Sequence, residues 1–253
     1  MKSYTIARFN LYKKQLPIIM TINIYNWCRK AILPVISTWL ILNLISGLII
    51  YPKLEGSSVV VKFWLALLPL HAGALAAAGV VLFTNTVPGE RLMTLNLESP
   101  AKLTRYLKTG VLLAICFYPV NMIVTGVVRQ LLKAMGYQPG KPPILEFIQQ
   151  SSSASTIISL AVTALIIAPL AEEIIFRLIL FESLSATRTS SPAIITALIF
   201  AVMHQTPFQI PALFLLGLVL QYVRSKYQSL WPSIMLHSAF NGISILLLLL
   251  ILS

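Results

Sequence analysis

Apolar positions in this chain run in long unbroken blocks. They show neither the alternation of a strand nor the one-sided stripe of a water-facing helix. The blocks cover 31–51, 59–83, 109–128, 157–180, 192–204, 208–223 and 231–252. Most approach or exceed the roughly 20 apolar residues that a bilayer-spanning helix needs. None alternates with period two, which argues against barrel strands. The pattern predicts an all-α, polytopic transmembrane helix bundle of about seven spans. Blocks 192–204 and 208–223 are short for full spans and are expected inside the bundle or in locally thinned bilayer. Two polar segments interrupt the blocks. Residues 84–108 hold Pro88–Gly89 and Ser99–Pro100, and residues 129–156 hold Pro139–Gly140 and Pro142–Pro143, then Ser151 to Ser153 as a helix start. Residues 1–30 read as a basic interfacial arm, because the apolar run from Leu16 to Trp27 is thin for a bilayer and ends without a small-residue cleavage site. With no internal repeat in view, residues 31–253 read as a single membrane domain.

Composition sharpens this picture. Hydrophobic residues make up 57% and charged residues 10% of the 253, against about 25% charged in soluble domains. A soluble enzyme, a fibrous protein and a disordered chain are thereby excluded. Lys and Arg number 19 against seven acids, all of them Glu. In so apolar a chain the excess points to anionic membrane lipid, not to nucleic acid. With the N-terminus inside, segments 1–30, 84–108, 181–191 and 224–230 hold thirteen Lys and Arg, whereas the opposite side holds four, Lys53, Arg129, Lys133 and Lys141. The chain is expected to be an integral membrane protein of a bacterial-type plasma membrane, and the positive-inside rule predicts that its N-terminus is cytoplasmic. The absence of Asp excludes a paired-aspartate intramembrane protease. Cys28 and Cys116 form no disulfide framework or CxxC motif.

Ionisable side chains inside apolar spans are costly and mark function by default. Glu172, Glu173 and Arg177 lie in the 157–180 block. On a helix Glu173 and Arg177 are four apart and share a face, so they are expected to form a buried structural ion pair. Glu172 lies about 100° round the helix and is left for chemistry. Pro169, three residues before, removes a helix hydrogen bond beside the site. Phe200 and His204 share one face of the next block; His237 and Asn241 share a face of the last. For His237 and Asn241 an interhelical hydrogen-bond clasp is the plain alternative to a chemical role. His71, in an Ala- and Gly-rich segment, reads as structural or pore-lining, and Glu182 as a solvated residue at a segment end. A carboxylate and two imidazoles on separate apolar helices are the parts of a water-activating site. The chain holds no HExxH and no GxSG motif.

The order EExxxR, FxxxH, HxxxN, here Glu172-Glu173…Arg177, Phe200…His204 and His237…Asn241, resembles the CAAX protease and bacteriocin-processing (CPBP, or Abi) family of intramembrane proteases. Phe214 to Gly217 and Ser229 to His237 are similar to the family's connecting region, so the resemblance covers about 157–245, the expected catalytic core. Leu178 stands where the family often has Gly. The resemblance implies a site inside the membrane and endoproteolysis of a peptide or lipidated-protein substrate, CAAX-type or bacteriocin-like. It further implies that Glu172 and His204 activate water and that His237 and Asn241 stabilise the oxyanion. No cofactor is favoured, although Glu172, His204 and His237 are also the two-His, one-carboxylate set of catalytic zinc. Two other functional classes stand beside this one: a proton-coupled transporter, which would more often show inverted repeats, and a catalytically silent immunity or adaptor protein. Reporter fusions at residues 95, 140 and 227 should read inside, outside and inside; an inside reading at 140 would overturn the orientation.

Overall fold

The structure, a computed structural model, describes residue 61 and residues 98–138, 153–186, 189–204 and 206–252. The arm over 1–30, Cys28, His71, its small-residue segment and, apart from Val61, the first two predicted spans lie outside the described residues. Among the described residues every regular element is helical and no strand occurs. The first helix, α1, runs Pro100–Ala134. Pro100 suits a first turn, where its missing N–H costs nothing. The helix ends where Gly136 takes φ +83°. There the N–H of Tyr137 reaches the Leu132 carbonyl and that of Gly136 reaches Lys133, both at 3.0 Å, which closes the last turn as a Schellman motif. At 35 residues, α1 is about 52 Å long, well beyond the predicted 109–128. Lys102, Arg105, Lys108, Arg129 and Lys133 had marked both ends as loop, but they occupy its terminal turns.

The second helix, α2, is continuous but changes winding. It comprises Ala154–Val162, a π-helical Thr163–Ile167, Ala168–Glu173, a π-helical Ile174–Leu180 and Phe181–Ala186. Ser153 caps it, its hydroxyl accepting from the Thr156 N–H, in line with the expected serine start. A short helix α3, Pro192–Met203, is followed by a 3-10 turn at Pro207–Gln209 and by α4, Ile210–Tyr227. Helix α5 runs Trp231–Leu252. Among the described residues, four helices are long and apolar enough to cross a membrane: Pro100–Ala134, Ala154–Ser185, Pro207–Tyr227 and Trp231–Ile251. The described residues are thus those of a helical integral membrane protein. Block 208–223 belongs to a helix long enough for a full span, because Arg224 and Lys226 lie in its last helical turn and not in a loop.

Glu182, read as solvated, instead forms an ion pair with Arg224, which in turn lies over the Phe181 ring. This pair joins α2 to the C-terminal end of α4. Tyr106 and Tyr227 meet edge to face at 5.5 Å, so the start of α1 lies at that same end. Arg129 sits 5.1 Å over Phe208 at the other. The connections α2–α3 and α4–α5 and the start of α1 therefore share one end of the bundle, the relative sidedness the charge pattern requires. Between these ends, α1 lies along α5 and α3 along α4. The contact of α1 with α5 depends on Gly110. A Cβ there would stand 2.7 Å from the Leu236 backbone nitrogen and 2.8 Å from the Met235 carbonyl carbon, whereas one at Gly126 would meet nothing within 4 Å. Backbone cannot swing aside, so Gly110→Ala should lower stability in detergent by about 1–3 kcal/mol. Gly126→Ala in the same helix should be neutral or slightly stabilising. Equal melting temperatures for the two variants would contradict this packing.

Candidate active site

The site is organised around the segment Ala168–Glu173, between the two π-helical stretches of α2. The helix does not end at Glu172, as a wet terminus would. It continues through Arg177, which is fully buried. The Arg177 Nε lies 3.3 Å from Glu173 Oε2, both side chains 0% exposed, so the expected i,i+4 pair is formed. The guanidinium is also stacked 4.4 Å from the centre of the Phe200 ring, and its Nη2 approaches the Gly217 carbonyl at 3.5 Å. Gly217 permits this close approach: a Cβ there would stand a tight 3.0 Å from the Ala197 Cβ and 3.1 Å from its Cα. Phe200 is the common neighbour. Its ring meets Phe176 at 5.3 Å, His204 at 4.7 Å and His237 at 5.8 Å, each edge to face.

Glu172 points the other way, as the 100° step between neighbours requires. Its Oε2 faces two imidazoles, His204 Nε2 at 3.9 Å and His237 Nε2 at 3.8 Å. That oxygen is buried and without a hydrogen-bond partner among the described residues. Separations near 3.8 Å leave room for a bridging group more readily than for a direct bond. The opposite ring nitrogens are both held. His204 Nδ1 lies 2.7 Å from the Phe200 carbonyl, and His237 Nδ1 lies 3.0 Å from Glu173 Oε1. Exposure falls across the site: the His204 side chain is 31% exposed, Glu172 12% and His237 3%. The site therefore opens to the outside of the bundle past His204. Along the axis His237 lies six residues after Trp231, about 9 Å of rise, so the cluster sits within the bundle, in the half nearer the α4–α5 turn.

Asn241 shares the His237 face and also addresses α2, but at another point. Its Nδ2 donates to the Ala164 carbonyl at 2.9 Å. The winding of α2 explains why that oxygen is free. The Ala168 N–H is spent on Thr163, and the next residue, Pro169, has no N–H to give. The clasp fills a gap that proline and π-helical winding open together. Sequence reasoning also gave no role to Ser233. Its hydroxyl donates to Glu173 Oε2 from a fully buried position. The only signal for it was spacing, since Ser233, His237 and Asn241 succeed one another at four-residue steps on α5.

The donor set Glu172, His204 and His237 matches catalytic zinc in kind. Glu172 Oε2 stands 3.9 and 3.8 Å from the Nε2 atoms of His204 and His237, farther than the ~3.4 Å expected between ligands of a tetrahedral ion with bonds near 2.1 Å. Among the described residues, no three His, Cys, Asp or Glu side chains are spaced to hold a metal ion.

Removing one member of a buried ion pair strands the other charge, at about 3–5 kcal/mol. Arg177→Ala should therefore fold poorly or melt early in detergent, whereas Glu172→Gln, whose carboxylate has no such partner, should melt close to wild type. A wild-type melting temperature for Arg177→Ala would remove Arg177 from the centre of the fold.

Residues 154–243 match the family model described as "Type II CAAX prenyl endopeptidase Rce1-like". The match contains all three motifs and agrees with the resemblance drawn from them. No curated protein and no solved structure matches the chain.

Proposed function

We propose that this chain, whose residues 154–243 match the Rce1-like type II CAAX prenyl endopeptidase family model, hydrolyses a peptide bond at the membrane, in a prenylated, CAAX-type peptide. One observation supports this above the others: the buried, unpartnered oxygen of Glu172 faces the Nε2 atoms of His204 and His237 at 3.9 and 3.8 Å. A water between Glu172 and His204 meets two acceptors. It loses a proton to the carboxylate as its oxygen attacks the scissile carbonyl carbon. The carbonyl oxygen then carries negative charge inside a low-dielectric bundle, where a nearby donor acts strongly. Asn241 has one N–H on Ala164 and a second left for that oxygen. His237 lies on the same helix face. Collapse of the intermediate breaks the C–N bond, and the proton held by Glu172 passes to the leaving amine.

In this reading the chain crosses the membrane seven times with its N-terminus in the cytoplasm. The site lies in the cytoplasmic half, because the start of α1 and the α2–α3 and α4–α5 connections fall on the side richer in Lys and Arg. Water activated by Glu172 and His204 is preferred to a zinc-bound nucleophile because of the wide ligand separations and because Asn, adjacent to His237 on its face, is not a usual zinc ligand.

The test is cleavage of prenylated CAAX-type peptides by purified wild-type protein beside Glu172→Gln. Turnover should fall by at least about 10²–10⁴-fold in the variant. A fully active Glu172→Gln would refute the role of Glu172. Elemental analysis of active protein after chelation should find no stoichiometric zinc. One zinc per chain, with activity lost on chelation and restored by zinc, would replace the carboxylate mechanism with a metal-hydroxide one.

A further inference from the structure

We infer that Glu173 and Ser233 are positioning residues for His237: together they hold a proton on its Nδ1, so that Nε2 is the ring atom that serves the site. The deduction uses only donor and acceptor chemistry. Arg177 keeps its proton under all ordinary conditions, and it lies fully buried against Glu173, so Glu173 is ionised. An ionised carboxylate can only accept. Its Oε1 stands 3.0 Å from His237 Nδ1, and Nδ1 must be the donor there. Ser233 fixes the other carboxylate oxygen. Its hydroxyl has two acceptors in reach, Glu173 Oε2 and the Leu220 carbonyl at 3.3 Å. The carboxylate is nearer and charged, and it takes the proton. Ser233 and Glu173 are 0% exposed and His237 3%, so no bulk water competes for these bonds.

The consequence lies on the far side of the ring. A neutral imidazole protonated at Nδ1 presents a bare Nε2, here 3.8 Å from Glu172 Oε2. His204 has the same polarity, because the Phe200 carbonyl facing its Nδ1 at 2.7 Å can only accept. Two Nε2 lone pairs and one carboxylate oxygen therefore converge on a single gap. A water in that gap can donate to two of the three acceptors at once. It also follows that His237 donates an N–H to an oxyanion only after Nε2 has taken up a proton, as imidazolium between Glu172 and Glu173. Ser233 and Glu173 decide which nitrogen that is.

The activity arm of the test rests on the endopeptidase reading; the spectroscopic arm does not. The chain has three histidines, His71, His204 and His237. Protein labelled with ¹⁵N-histidine, in lipid vesicles, can be assigned by magic-angle-spinning NMR with His71→Gln and His204→Gln. His237 should show a protonated Nδ1 hydrogen-bonded to a carboxylate and, in the neutral ring, an unprotonated Nε2. Ser233→Ala should shift the Nδ1–H resonance and lower turnover about 10–100-fold, in protein that still folds but melts earlier than wild type. A neutral His237 protonated at Nε2 and bare at Nδ1 would overturn the inference. So would a Ser233→Ala variant with the wild-type Nδ1–H resonance and turnover within twofold. If the wild-type protein cleaves no peptide, the tautomer still decides the inference, and only the proposed function falls.

Discussion

The structure depends on one arrangement, a guanidinium and a carboxylate buried together in the middle of an apolar bundle. Isolated, either charge would be prohibitive there. Arg177 and Glu173 offset that cost only as a pair, and only if the groups around them are specified. The Phe200 ring covers one side of the guanidinium at 4.4 Å. The Gly217 carbonyl approaches it because α4 can come close to α3. Ser233 and His237 take the remaining lone pairs of Glu173. Four helices are thus held in register by one buried pair, and the residues that satisfy it lie next to the residues that face Glu172. The support of the fold and the geometry of the site are the same set of contacts.

This coupling explains what was legible in the sequence. The division of labour between Glu172 and Glu173 followed from helical geometry alone, since adjacent residues cannot share a face and Arg177 sits at the spacing that selects Glu173. The common face of His237 and Asn241 was equally readable, and both do address α2. Other features rested on information that no spacing rule carries. The use of Asn241 follows from a carbonyl at Ala164 that is free only because the π-helical winding and Pro169 both deny it a donor. The role of Ser233 required knowing which face of α5 meets α2. Helix lengths were misjudged wherever a cation is paired or placed in a terminal turn. Arg224, bound to Glu182, looked like loop, and the basic ends of α1 concealed a 35-residue helix.

The two π-helical stretches give α2 a second function besides spanning. Each widens the winding on one side of Ala168–Glu173, and π-helical turns occur often at functional sites. The first exposes the Ala164 carbonyl to α5. The second contains Arg177 and keeps it aligned with Glu173 at four residues' distance. Glu172 is therefore aimed by backbone that is held at both ends, by Asn241 before it and by Arg177 after it. Such support matters because a water between a carboxylate and an imidazole is activated only when both acceptors stay in place.

The central claim is that water, oriented by Glu172 and His204, attacks the peptide directly and no side chain of the protein becomes acylated. Single-turnover cleavage in ¹⁸O-labelled water, with enzyme in excess over a prenylated peptide and each time point quenched in acid, addresses it by mass spectrometry of both partners. The account predicts one ¹⁸O atom in the newly formed carboxylate of the product and an enzyme mass that never changes. An enzyme species heavier by the acyl fragment, formed and lost at the rate of product release, would contradict it.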